Sequence, residues 1–306
     1  MIILLTGASG MVGRNILEHD AASNYSILKP SSSDLNLLNV IEVQQYLKKN
    51  KPDIIIHAAG FVGGIQSNIA QPIRYLIDNI HMGFNLINVA KEEGIKKFLN
   101  LASSCIYPKN GQNPLTEDLI LTGELEPTNE AYALAKIAVL RLCEFIHREK
   151  PIYQYKSVIP CNLYGRFDDF SPEHSHMIPA AIKKISDAKK GSNVSIWGNG
   201  QARREFMYAS DLADFIFYAI RKFEDMPQNI NVGLGVDYSI KKYYQEIAKV
   251  IGFKGKFIHD LSKPTGMTQK LISTERLNKF GWSHKTQLKD GLAKTYKFYQ
   301  NNLKND

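Results

Sequence analysis

The chain begins with an arrangement that restricts what it can fold into. Met1–Thr6 reads as a short buried strand, and Gly7, Gly10 and Gly13 follow at intervals of three. Gly13 opens a helical pattern running from Asn15 to about His19. Glycine permits positive φ and lets main-chain N–H groups approach an anion at the positive end of a helix. The triplet alone would also suit a tight turn, but its place at the start of a β-α-β unit makes it a phosphate-binding loop. Gly7, Ala8, Ser9, Gly10, Met11, Val12 and Gly13 are thus candidates to hold the pyrophosphate of a dinucleotide.

Strands and helices then alternate. Strands are expected at Tyr25–Leu28, Asp53–His57, Lys97–Ala102 and Ser157–Leu163. Helices are expected at Val40–Asn50, at Ile77–Glu93 and from Thr128 to about Arg148. This order predicts an α/β fold, a Rossmann-type doubly wound parallel sheet with helices on both faces. After Gly165 the pattern loosens, with helices at Ala180–Lys190, Asp211–Phe223 and Lys241–Ile251 and strands at Val194–Trp197 and Asn229–Val232. Residues 1–165 are read as the dinucleotide-binding domain, with segments near 205–236 returning to it. Residues 166–306 are read mainly as a smaller, interleaved α/β substrate-binding lobe.

The 306 residues, 44% hydrophobic and 22% charged, have a globular composition that excludes disorder and a coiled coil. A net charge of +8 would suit nucleic acid, an acidic membrane surface or polyanionic small molecules. The basic residues form no stripe interleaved with aromatics, so no nucleic-acid partner is expected. Most lysines, including the group from Lys285 to Lys304, read as solvated surface. Cys105, Cys143 and Cys161 are too few for a disulfide framework, so a reduced, cytoplasmic compartment is expected. No apolar run reaches the length of a membrane span, and the start lacks the basic region of a signal peptide.

The end of the second strand types the dinucleotide. NAD sites place an acid there for the ribose 2′-hydroxyl, whereas NADP sites place cations or hydroxyls. Here Lys29 is followed by Ser31, Ser32 and Ser33, and the first acid is Asp34. Asp34 lies 21 residues after Gly13, a spacing that alone would allow NAD, but it reads as the start of the next element. NADPH is the expected cofactor, with Lys29 near its extra phosphate.

Tyr132 and Lys136 stand four apart on one helix and so share a face, and Ser103 ends the preceding strand. A phenol with pKa near 10 is a poor acid at neutral pH. A lysine one turn away favours the phenolate, and a serine hydroxyl can hold the same carbonyl oxygen. YxxxK alone is common on helices; the upstream glycine loop and the serine at a strand end give it meaning.

Several blocks go further. They include Val62-Gly63-Gly64-Ile65, Ser103-Ser104-Cys105-Ile106-Tyr107-Pro108, Glu126-Pro127-Thr128-Asn129-Glu130, Asn162-Leu163-Tyr164-Gly165 and Ser175-His176-Met177-Ile178-Pro179. With Trp197-Gly198, Arg204-Glu205-Phe206, Ile230-Asn231-Val232-Gly233 and Ser262-Lys263-Pro264 they span nearly the whole chain. In these the chain resembles the extended short-chain dehydrogenase/reductases, and within them the GDP-L-fucose synthase family. The resemblance implies an NADPH-dependent 3,5-epimerase and 4-reductase of GDP-4-keto-6-deoxy-D-mannose. It implies Cys105 as base and His176 as acid for proton exchange at C3 and C5, then hydride delivery to C4 with a proton from Tyr132. Ser103 and Lys136 complete the catalytic set.

The same resemblance implies cofactor contacts from Leu101, Ala102, Ser103, Ser104, Lys136, Pro160, Cys161, Asn162, Leu163 and His176. It places Arg204 at the diphosphate of the GDP-sugar, Trp197 near the nucleotide and Lys184 where the family has a substrate-binding arginine. The chain departs from the pattern at Lys184, at Phe61, where the family commonly has lysine, and at Thr265, where it often has a guanine-binding aspartate. Sugar-nucleotide dehydratases carry Asp-Glu where this chain has Ser104-Cys105, which disfavours dehydration. A simple 4-epimerase would have no use for Cys105, and a non-catalytic regulator would not need Tyr132 and Lys136. A C4-reductase of another GDP-4-keto-6-deoxy sugar, such as a heptose, with little epimerisation stays open. His174 and His176 lack further ligands at metal spacing, so no metal is expected. By analogy with the superfamily, the two long helices are expected to form a homodimer interface.

Overall fold

The structure is a computed structural model that describes residues 1–171, 174–188, 191–263 and 266–303. Five strands come first: β1 (Ile2–Thr6), β2 (Ser26–Leu28), β3 (Ile54–His57), β4 (Lys97–Leu101) and β5 (Gln154–Pro160). The chain then leaves with β6 (Asn162–Tyr164), β7 (Asn193–Trp197), β8 (Arg203–Arg204) and β9 (Phe206–Tyr208), and returns with β10 (Asn229–Val232). β11 (Tyr238–Ser239), β12 (Lys256–Asp260) and β13 (Gln269–Lys270) follow. The main sheet has six strands, all parallel, in the order β10-β5-β4-β3-β1-β2.

Helices α1 (Met11–Glu18), α2 (Val40–Asn50), α3 (Ile65–Ala70), α4 (Pro72–Glu92) and α5 (Glu130–Glu149) belong to the first half. The second half has α6 (Met177–Ser186), α7 (Ala209–Arg221), α8 (Ile240–Ile251), α9 (Glu275–Phe280) and α10 (Leu288–Leu303). Two cores explain the apolar strands. Ile3, Leu5, Ile54, Ile56, Leu99 and Leu101 face one side of the sheet with α7, while Leu4, Ile55, Phe98 and Tyr155 face the other with α2 and α4. Alternation within a continuous apolar run is what a sheet covered on both faces requires. A third core joins α6, α8, α10, β7 and β9 through Ile182, Ile185, Ile196, Phe206, Tyr243 and Leu292. It lies in the second half of the chain, while α7 and β10 from that half pack into the main sheet.

Three expectations need correction. The strand read as Ser157–Leu163 is two. β5 ends at Pro160, and after Cys161 the chain enters β6, which pairs with β9 outside the main sheet. Proline offers no N–H to the ladder, and the Asn162 side chain instead donates to the Glu205 carbonyl at 2.7 Å. α1 starts at Met11, before Gly13, because Gly10 serves as its N-cap. α4 starts at Pro72, five residues before the expected Ile77, since proline suits the first helical turn. The lysines of the Lys285–Lys304 group lie as expected: Lys285, Lys289, Lys294 and Lys297 are exposed, while Leu292 and Tyr299 of α10 are buried in the third core.

Candidate active site

β1 has β2 on one side and β3 on the other, so the sheet order reverses at its C-terminal end. Ligands of open α/β sheets bind at such a switch point. The glycine loop occupies it. Gly7 has φ +73°, and a Cβ there would lie 2.6 Å from the Ala58 main chain. A Cβ on Gly13 would lie 2.2 Å from the Gly7 carbonyl oxygen, so this glycine lets α1 sit against the loop. No side chain caps α1, which leaves its first N–H groups facing the cleft for an anion. The cradle therefore fits a dinucleotide pyrophosphate.

A cleft of about 990 Å³ runs from this loop across the C-terminal edge of the sheet. Every residue from Gly7 to Gly13 lines it, as do Leu101, Ala102 and Ser103 at the end of β4. Pro160, Cys161, Asn162 and Leu163 line it beyond β5, and Cys105, Tyr132, Lys136 and His176 open onto the same space. Lys184, Trp197 and Arg204 line its far end. Two expected residues are not in its wall. Lys29 is exposed, and Pro30, Ser31 and Ser32 line the cleft in its place. Ser104 is buried within the single turn Ser104–Ile106. Thr265 lies outside the described residues.

The serine loop accounts for Asp34. Its carboxylate accepts from the Ser31 hydroxyl at 2.7 Å and the Ser31 N–H at 3.0 Å, bonds that hold its pKa below the ordinary value. Asp34 is spent on the loop and does not line the cleft.

Ser103 Oγ accepts the Cys105 N–H at 3.4 Å, which leaves the hydroxyl hydrogen free to donate into the cleft. Lys136 Nζ donates to the Leu101 carbonyl at 3.0 Å and lies 5.6 Å from the Tyr132 ring centroid. Burial pulls the ammonium down to about 8. The Tyr132 phenol, by contrast, is pushed well above 10 by burial, with the nearby Cys105 and Tyr75 adding to the rise. The expected depression of this phenol by Lys136 is absent from this arrangement, where desolvation comes first among the causes of its rise. Burial likewise pushes the Cys105 thiol up, opposed by Ser103, Lys270 and Lys136. His176 stands at the N-cap position of α6 without a side-chain capping bond, and it is an exposed residue lining the cleft. Desolvation by the surrounding walls, with the Lys270 charge, pulls the imidazole below its ordinary value.

Lys270 was not foreseen. It lies on β13 in parallel register with Arg204 on β8 and lines the cleft. Burial and then the Arg204 charge bring its ammonium down to about 8. Its place depends on a pairing across 66 residues, which no local pattern announces. Phe61 also lines the cleft: the Arg74 guanidinium lies 4.0 Å over its ring, and the Tyr75 ring is 4.7 Å away. Tyr75 in turn meets Tyr132 edge-on at 6.1 Å. Among the described residues no cluster of His, Cys, Asp and Glu could hold a metal ion.

Such a fold, with a phosphate loop at the switch point and Ser, Tyr and Lys in the adjoining cleft, defines a dinucleotide-dependent enzyme. A family model described as the NAD dependent epimerase/dehydratase family matches residues 3–233. The chain belongs to that family and, within it, to the GDP-L-fucose synthase branch of the extended short-chain dehydrogenase/reductases. It is 57% identical to GDP-L-colitose synthase of Yersinia pseudotuberculosis over the full length of both chains. It is 45% identical to GDP-L-fucose synthase of Azorhizobium caulinodans, covering 97% of this chain and 96% of that one. Among solved structures, a GDP-mannoheptose C4 reductase from Campylobacter jejuni with NADP bound superposes with a TM-score of 0.87 at 28% identity, covering 98% of each chain. The chain is an NAD(P)-dependent enzyme of sugar-nucleotide metabolism. Among the described residues no helix is long and apolar enough to cross a membrane.

Proposed function

We propose that the protein is an NADPH-dependent epimerase and C4-reductase of a GDP-4-keto-6-deoxy sugar. The observation that carries this reading is that Cys105, from the turn after β4, and His176, from the start of α6, open onto one cleft with Ser103 and Tyr132. The cofactor supplies hydride to C4 when bound. Ser103 donates a hydrogen bond to the C4 oxygen, and Tyr132 gives the alkoxide its proton. The ketone acidifies the hydrogens on its neighbouring carbons. Cys105 removes a proton from one face and His176 returns one to the other; Lys270 and Lys136 favour the thiolate against the cost of burial.

NADPH rather than NADH is supported by Ser31 and Ser32 in the cleft wall and by the engagement of Asp34 with Ser31. Residues 1–165, with α7 and β10 packed into the same sheet, form the cofactor domain, and residues 166–306 form mainly the lobe for the GDP-sugar. Arg204, with Lys270 beside it, meets the diphosphate; Lys184, whose Nζ lies 5.2 Å from the Trp197 ring centroid, flanks the nucleotide. Exposed Ile73 and Ile77 on α4 and Leu134 and Phe145 on α5 support a homodimer through these helices. Three buried free cysteines suit a reduced, cytoplasmic setting.

L-fucose carries a hydroxyl at C3, and L-colitose is its 3-deoxy counterpart. Identity of 57% to the colitose enzyme against 45% to a fucose enzyme favours the 3-deoxy substrate. The test is incubation of each GDP-4-keto sugar in D₂O, first without NADPH and read by mass spectrometry, then with NADPH added and its oxidation followed. Deuterium in the recovered sugar, and faster NADPH oxidation with the 3-deoxy ketone, are expected. NADPH oxidation with no deuterium uptake would instead favour a C4-reductase without epimerisation, the reading that the heptose reductase neighbour supports. Neither exchange nor oxidation with either sugar would overturn both.

A further inference from the structure

We infer that Glu205 is a positioning residue whose one buried carboxylate ties together the strands that present Arg204 and Lys270 to the substrate. The inference rests on the reading above in which those two cations meet the diphosphate.

Arg204 and Lys270 are direct register partners on the parallel pair β8 and β13, and both line the cleft. Two like charges at adjacent strand positions repel, the more so in a desolvated wall. Glu205 follows Arg204 and is fully buried. Its Oε1 accepts the N–H groups of Leu234 and Gly235, the latter at 2.8 Å, from the loop that leaves β10. Its Oε2 accepts the Ile272 N–H at 3.1 Å, two residues beyond Lys270. The Glu205 main-chain carbonyl accepts from Asn162, itself a cleft residue. Space is reserved for the carboxylate: a Cβ on Gly233 would lie 2.5 Å from Oε1.

A buried carboxylate is costly unless both oxygens are satisfied. Here burial pushes Glu205 up while the three N–H groups hold it down. Glutamine has one acceptor oxygen, and its NH₂ would face an N–H donor, so one of the tied segments must come loose. The charge matters as well. Lys270 faces Arg204, which lowers its pKa, and Cys105, Cys161 and Glu205, which raise it, while Lys270 itself lowers His176. Removing the Glu205 charge takes away one of the groups that keep Lys270 protonated.

The test uses the full chain and GDP-mannose, a GDP-sugar without the C4 ketone, with binding measured by calorimetry. In the wild type, affinity should fall as pH rises through about 8, the pKa of Lys270, and the GDP-mannose diphosphate carries no proton there. Glu205→Gln should weaken GDP-mannose about tenfold at neutral pH and move that midpoint down by about half a unit, leaving NADPH affinity within about twofold. A residue that only stabilised the fold would lower the melting temperature without moving the midpoint or separating the two ligands. If Glu205→Gln does not fold, Gly233→Ala keeps the charge but displaces the carboxylate, and should weaken GDP-mannose selectively. GDP-mannose binding within twofold of wild type in either variant overturns the inference. Arg204→Ala separates the failures. If it too leaves GDP-mannose binding intact, the diphosphate reading falls and the inference with it. If it alone abolishes binding, only the positioning role falls.

Discussion

The two ends of the cleft are built by different means. At the glycine loop the wall is main chain, contributed by one contiguous stretch from Thr6 to Gly13, and its fit depends on missing side chains. At the opposite end the wall is side chains brought from β4, α5, α6, β8 and β13, and its fit depends on individual protons and charges. The first kind of wall fails when atoms are added. The second fails when particular atoms are taken away. The lesson is that cofactor binding and sugar chemistry should be separable by mutation even though they share one cavity.

The largest separation is expected at Tyr132. Tyr132→Phe removes one oxygen from the side-chain wall and nothing from the cradle. NADPH oxidation with the keto-sugar should fall by about 10²- to 10⁴-fold, the usual worth of a positioned general acid. NADPH affinity and deuterium exchange should persist; loss of cofactor binding in this variant would break the distinction between the ends. Cys105→Ser should do the reverse, lowering deuterium incorporation by about 10²-fold with ketone reduction still measurable. Equal loss of both steps in both variants would show that the division of labour is wrong.

The cradle is challenged by adding one carbon. In Gly13→Ala the new methyl would sit 2.2 Å from the Gly7 carbonyl oxygen, a contact main chain cannot yield to cheaply. Overpacking of this kind costs about 2–3 kcal/mol, so NADPH binding should weaken by roughly 30- to 150-fold in a fluorescence titration. GDP-mannose affinity should change little. A variant that bound NADPH normally would mean that α1 can retreat from the loop, and that the cradle is less rigid than its geometry.

This contrast also explains what the sequence could and could not reveal. The glycine loop was legible because its physics is local: a strand, three glycines and a helix within 18 residues. Tyr132 and Lys136 were legible because helical periodicity puts them on one face. Lys270 was not, because β13 is two residues long and reaches the cleft only by pairing with β8. The structural duty of Glu205 was hidden for the same reason, since its partners Leu234, Gly235 and Ile272 lie 29 to 67 residues away. The expectation for Tyr132 went wrong on a different point. Helical spacing placed the cation one turn away but not the desolvation, which leads the causes of the phenol's rise. Lys29, just after β2, is exposed and outside the cleft wall, where Pro30, Ser31 and Ser32 stand instead, a distinction that strand-end position alone does not make.

The smallest effect is expected where a local pattern offered two answers. Asp34 stands at a spacing suited to an NAD ribose, yet its carboxylate is held by the Ser31 hydroxyl and N–H. If that capping role is its whole contribution, Asp34→Asn should keep the loop, since an amide oxygen still accepts from Ser31. The local stability should change little, since the carboxylate is solvent-exposed. The ratio of kcat/KM for NADPH over NADH should then change by less than about threefold. The outcome that counts against this is specific. Were Asp34 reading the ribose, its replacement would selectively depress the NADH rate and raise the ratio by about tenfold or more, as expected for loss of a charged hydrogen bond. Such a rise would move Asp34 into the cofactor wall and make the cradle end, like the sugar end, dependent on an individual charge.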